Sequence, residues 1–248
     1  MVKGLDTFQK YFADYEEQYV LIGGAACDIL FESNEVNFRA TRDLDMVLIV
    51  EALTPEFGEK FWKFIVDGKY RNKATNGNTP QFYRFDKPED DKFPKMIELF
   101  CRSDFELKSA EGITPIHIDD EVSSLSAILL NDDYYKALLN GKVIRNGLSV
   151  LRPEYIILFK AKAYLDLQKR KDSGEKLDSS DIKKHKKDVL RIASELMLEK
   201  VEELPIAVDA DIHSFIDLLE QEPFDQNSLK RYGLKNEDIM ELLKKVFG

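Results

Sequence analysis

Cysteine is almost missing from this chain. Its two copies in 248 residues, Cys27 and Cys101, stand far apart and in no Cys-x-x-Cys pattern, which excludes a disulfide scaffold and a cysteine-rich zinc site. Cys27 falls inside an apolar helical pattern and reads as a buried thiol. Glycine (12) and proline (8) are too sparse for a collagen-like chain, and 11% aromatics argue against wholesale disorder. No apolar run approaches the ~18 residues that a membrane span needs. Met1 to Lys10 lacks a basic stretch followed by an apolar core, so export is not expected and a reducing cytoplasm is the expected location. Positive charge is also in deficit: 36 Lys+Arg against 46 Asp+Glu leave a net charge of −10, which argues against a protein built mainly to coat a phosphate backbone.

What is present suffices for one large domain or two small ones. The pattern predicts a helix over Leu5 to Glu17, a short strand Tyr19 to Ile22 closed by Gly23-Gly24, and a helix Ala25 to Phe31. A second strand follows at Leu44 to Val50, then a helix Pro55 to Lys69 with proline where its missing N–H costs nothing. Gln81 to Phe85 and Lys95 to Cys101 alternate as strands, and Ile113 to Ile118 and Ser124 to Leu130 do so more weakly. After Gly147 the pattern becomes helical: Pro153 to Arg170, then Asp181 to Lys200 behind a Ser180 cap, then segments at Phe215 to Leu219 and Asp238 to Phe247. A mixed α/β domain over 1–147 followed by a helical domain over 148–248 is therefore expected. The basic residues cluster as well: Lys160 to Arg191 holds 11 Lys+Arg and 6 Asp+Glu.

Three features of the first domain carry chemistry. Gly23-Gly24 lies between a strand and a helix, where the backbone can approach a ligand and free helix N–H groups can face a phosphate. Asp43 and Asp45 open a strand at i and i+2, so both carboxylates share one face while Leu44 points to the core. Acid-x-acid triplets are common in so acidic a chain, about eight by chance; the placement ahead of the buried-type run Met46 to Val50 is what singles this one out. Glu98 interrupts the apolar strand Met96-Ile97-Glu98-Leu99-Phe100 and offers a third carboxylate. Three acids close together raise one another's pKa, a conflict that a divalent cation removes; Mg²⁺, which takes one or two carboxylates plus substrate phosphates, suits the pair. In the helical part, Lys160 borders the apolar stripe of its helix, whereas Lys162 shares a face with Asp166 and Lys169. Lys184, Asp188 and Arg191 fall on one stripe of the next helix, and His185 lies near the core edge.

The run Gly23-Gly24-Ala25-Ala26 followed by Arg39-Ala40-Thr41-Arg42-Asp43-Leu44-Asp45 resembles the DNA polymerase β-like nucleotidyltransferase superfamily. Together with Leu158-Phe159-Lys160-Ala161-Lys162-Ala163 and the block Lys183 to Arg191, it resembles more narrowly the AbiEii-type nucleotidyltransferases, the toxin halves of type IV toxin–antitoxin and abortive-infection systems. Eighteen residues separate Gly24 from Asp43, and Arg191 stands where that family often carries a second Asp. The resemblance implies an α+β fold with a polymerase β-like mixed sheet, and a Mg²⁺-dependent transfer of a nucleoside monophosphate from an NTP to an acceptor hydroxyl. It implies a two-metal site on Asp43, Asp45 and Glu98, with Gly23, Gly24, Thr41, Lys160, Lys184 and Asp188 binding the nucleotide. The basic segment 160–191 points to tRNA, another RNA or a protein as the acceptor, and the resemblance implies a cognate antitoxin partner, with no membrane involved. Two alternatives stay open: a nucleotide-binding sensor without turnover, and a small-molecule nucleotidyltransferase of the antibiotic-modifying kind.

Overall fold

A computed structural model describes residues 3–32, 43–72, 82–100, 128–129 and 131–248. The chain divides into two compact units with interleaved boundaries: Met1–Asp119 with Lys142–Leu151, and Asp120–Gly141 with Arg152–Gly248.

The first unit is a mixed sheet. Helix α1 (Leu5–Phe12) buries Leu5, Phe8 and Phe12 on one stripe. It stops short of the expected Glu17 because Asp14 takes φ 75°, and a 3₁₀ turn at Glu16–Gln18 leads into β1 (Tyr19–Ile22). Helix α2 (Gly23–Glu32) follows without a gap. Next come β2 (Asp43–Leu48) and α3 (Pro55–Asp67), the latter capped by the Thr54 hydroxyl, which accepts from Phe57 N–H. The other strands are β3 (Arg71–Asn72), β4 (Phe82–Asp86), β5 (Met96–Phe100), β6 (Lys142–Arg145) and β7 (Leu148–Leu151). The described strands form one seven-stranded sheet in the order β3-β4-β5-β2-β1-β7-β6. β2 runs antiparallel to β1 and parallel to β5, while β7 runs parallel to β1.

The register sorts the two faces. Tyr19, Leu44, Met46, Ile97 and Phe85 share one face by alternation, and there α1 and α3 close the core: Phe8 meets Tyr19 edge-on at 5.5 Å and Phe61 meets Phe85 at 5.5 Å. The opposite face carries Asp43, Asp45, Glu98 and Arg84. On that same face Val47 and Phe100 are buried, so the charge is confined to the end of the sheet where β2 and β5 begin and β1 ends.

The second unit is helical. Helix α4 (Asp132–Gly141) opens on Asn131, whose side-chain oxygen accepts from Asp133 N–H at 2.9 Å, and it buries Tyr134, Tyr135 and Leu138. Helix α5 (Pro153–Asp172) is the hub: Tyr155 to Phe159 are all buried, as on a helix packed on several sides. Around it lie α4, α6 (Ser179–Glu195) and α7 (Ile206–Gln221), followed in the chain by α8 (Gln226–Tyr232) and α9 (Asn236–Phe247). Asp178 caps α6, two residues earlier than the expected Ser180. The sequence-based division at 147/148 falls inside the β6–β7 hairpin. That hairpin returns to the sheet after α4 has joined the helical unit, which is why the two units interleave. Of the weaker strand candidates, 113–118 lies outside the described residues; of 124–130 only Ile128 and Leu129 are described, and they are helical. Among the described residues no helix is long and apolar enough to cross a membrane.

Candidate functional site

Gly23 is where backbone and side-chain chemistry meet. It carries φ 61°, a left-handed conformation that glycine adopts without penalty, and a Cβ built on it would lie 2.2 Å from Asp45 Oδ2. The turn into α2 therefore rests directly on the Asp45 carboxylate. The helix begins at Gly23 rather than at the expected Ala25, so Gly23 and Gly24 both belong to its first turn, whose N–H groups have no intrahelical acceptors. Gly23→Ala is expected to cost about 1–3 kcal/mol for the left-handed backbone alone and to displace Asp45 as well. A denaturant melt checks this; a variant as stable as the parent contradicts the close approach.

Three carboxylates share the polar face of the sheet. Asp43 and Asp45 are half-exposed on the polar face of β2, with Leu44 fully buried between them. The parallel pairing of β2 with β5 sets Asp45 opposite Glu98, with the two carboxyl groups close enough to share a proton. Glu98 is nearly buried, its side chain 10% exposed. Burial pushes its pKa above the usual carboxylate value; the Arg84 charge and hydrogen bond and the Asp45 hydrogen bond oppose that rise, and the Asp43 charge adds to it.

Arg84, absent from the sequence-based set, lies on β4 opposite Glu98. Its Nε donates to Glu98 Oε1 at 2.8 Å and its terminal nitrogen stands 2.6 Å from the same oxygen. This pairing bears on the expected three-carboxylate metal set: among the described residues no group of three or more His, Cys, Asp or Glu side chains is arranged to hold a metal ion. Glu98 is engaged by a guanidinium.

The remaining sequence-based residues are distributed as follows. Thr41 lies outside the described residues. Lys160 and Asp188 form an ion pair at 3.0 Å that ties α5 to α6, with side chains 15% and 11% exposed. Lys184 is half-buried on α6 and His185 is buried. Lys162 does not lie on an open charged face: it is held 3.1 Å from both Asp166 and Asp211.

No family model and no curated protein matches the sequence. Among solved structures the chain is similar to an antigenic nucleotidyltransferase-like protein from Paracoccidioides brasiliensis, with 16% identity and a TM-score of 0.50 over 98% of this chain and 93% of that one. The likeness spans the mixed sheet and the helical part alike, and at this identity it speaks for the fold: the chain has an α+β, nucleotidyltransferase-like fold.

Proposed function

We propose that the protein is a Mg²⁺-dependent nucleotidyltransferase that moves a nucleoside monophosphate from an NTP to an acceptor hydroxyl. The observation that carries this reading is the row Asp45–Glu98, with Asp43 on the same face, set against a glycine-opened helix N-terminus in a nucleotidyltransferase-like fold. Asp43 and Asp45 fit a hard cation: two oxygen donors share one face and are partly open to solvent, and Asp45 is already desolvated on one side by Gly23. Mg²⁺ would neutralise charge on the transferring phosphate and help activate the acceptor hydroxyl. The residues of the chain do the rest. Asp43 and Asp45 would hold the ion, the first-turn amides of α2 would receive phosphate oxygens, and Glu98 would shape the field from the neighbouring strand. Lys160 and Asp188 enter this reading already paired with each other. Pyrophosphate release from each of the four NTPs, with and without Mg²⁺ and an RNA acceptor, tests the activity.

Glu98 bound to Arg84 is the observation that favours a second reading, a nucleotide-binding module without turnover. Mg²⁺-dependent NTP binding with no pyrophosphate release supports it.

For the acceptor we favour RNA. Within 160–191 the exposed cations are Lys169, Lys171, Lys176, Lys183 and Lys187, whereas Arg170 and Arg191 are tied to Glu175 and Glu195. So few free cations in a chain of net charge −10 imply weak binding that falls with salt, with a log–log slope of about −0.7 to −0.9 per phosphate contacted. Reversing charge at Lys183 and Lys187 is expected to flatten that slope and to spare Mg-NTP binding. Identical slopes in parent and variant contradict the RNA acceptor. A toxin role and an antitoxin partner rest on the AbiEii resemblance alone.

A further inference from the structure

The helical unit sets a second helix beside the basic stretch of α6. Lys186 staples α6 to the segment that leads into α8: its ammonium donates to the Glu222 carbonyl and stands 5.8 and 5.7 Å from the Tyr164 and Phe224 ring centres. The charge of the next residue, Lys187, reaches Asp225, which caps α8 by accepting from Ser228 N–H at 2.9 Å. At the other end of α8 the Tyr232 hydroxyl donates to Glu195, which also takes Arg191 Nε at 3.1 Å. Helix α8 therefore lies along the Lys187–Arg191–Glu195 stripe of α6. Residues 181–195 and 222–235 together hold 8 Lys+Arg and 5 Asp+Glu, a positive surface in a chain of net charge −10.

The acids in it have duties. Asp188 pairs with Lys160, Glu195 with Arg191, Glu222 accepts from the Tyr164 hydroxyl and Asp225 caps α8. Lys183 and Lys187, one turn apart, are exposed, and so is Arg231 on α8. The Arg231 guanidinium carbon lies 5.9 Å from the ring centre of Tyr232, the residue that α6 holds, so Arg231 is kept on the α6 side. Lys230 is equally exposed but stands about 160° round the helix from Tyr232.

We propose that α6 and α8 form one RNA-binding face, on which Arg231 contacts a phosphate alongside Lys183 and Lys187. This rests on the reading of RNA as the acceptor and adds a contact from outside the basic 160–191 segment. Three exposed cations on two adjoining helices match successive phosphates of a backbone, and a guanidinium, planar and always charged, suits a phosphate oxygen pair.

Binding of fluorescently labelled bulk tRNA to the full chain, followed by anisotropy across a salt series, tests this. Arg231→Ala is expected to lower the log–log salt slope by about 0.7–0.9, the share of one phosphate contact, and Arg231→Lys to keep the parental slope. Lys230→Ala, the same loss of charge one residue away, is expected to leave the slope unchanged. A parental slope in Arg231→Ala, or an equal loss in Lys230→Ala, overturns the proposal; if charge reversal at Lys183 and Lys187 still flattens the slope, the RNA acceptor stands without it. No tRNA binding by the parent, or a slope that survives reversal at Lys183 and Lys187, overturns the RNA acceptor and this proposal with it.

Discussion

Asp45→Asn is expected to abolish NTP turnover while leaving the fold intact. Asparagine keeps the shape that fits beneath Gly23 but removes one of the two charges offered to the cation. Loss of several kcal/mol of transition-state stabilisation corresponds to a rate reduced by about a thousandfold or more. Asp43→Asn is expected to do the same from the other side of Leu44. Neither carboxylate is a core contact: both are half-exposed, and the apolar packing of β2 lies on Leu44, Met46 and Leu48. Circular dichroism and pyrophosphate release, read together, check the claim. A folded Asp45→Asn enzyme at parental rate means the chemistry lies elsewhere.

Lys160→Ala has the second large effect, and it is expected in stability. Lys160 and Asp188 are mostly buried and paired at 3.0 Å. Removing the lysine takes from the nearly buried Asp188 carboxylate its partner at 3.0 Å, and breaking a buried pair in this way costs about 3–5 kcal/mol. Lys160→Met with Asp188→Leu removes both charges and is expected to recover most of that loss, because the pair itself contributes little beyond mutual compensation. Denaturant unfolding of the two single variants and the double variant measures it. Calorimetric Mg-NTP titration of Lys160→Ala beside Lys162→Ala separates the two duties a lysine can have here. A large affinity loss confined to Lys160, with unchanged stability, would mean that the lysine serves the nucleotide and not Asp188.

Much of the sheet was legible in the sequence because its strands are buried on both faces. Tyr19 to Ile22 and Met46 to Leu48 read as unbroken apolar runs, and a carboxylate at the start of such a run stands out. Asp43, Asp45 and Glu98 were found in that way, and Gly23 by its place between strand and helix. The illegible parts depend on register or on distant partners. Arg84 looks like an ordinary exposed arginine on an alternating strand until β4 pairs with β5 and sets it opposite Glu98. Asp188 has a lysine one turn away in sequence, at Lys184, so nothing local points to Lys160, 28 positions earlier on another helix. The end of α1 turns on Asp14 adopting a left-handed conformation, which aspartate tolerates but does not announce. Helix α4 carried a usable signal, Asn131 ahead of Tyr134, Tyr135 and Leu138 at helical spacing. The hairpin after it is too short and mixed to declare that it rejoins the sheet.

Thermal unfolding with each NTP, with and without Mg²⁺, on the parent and on Asp45→Asn, tests the central claim most directly. The parent is expected to gain about 2.7 kcal/mol at a hundredfold excess over Kd, only when Mg²⁺ is present, and Asp45→Asn is expected to gain nothing. Stabilisation by NTP that needs no divalent ion, or that is equal in the two proteins, would contradict the assignment of nucleotide binding to the Asp43–Asp45 end of the sheet.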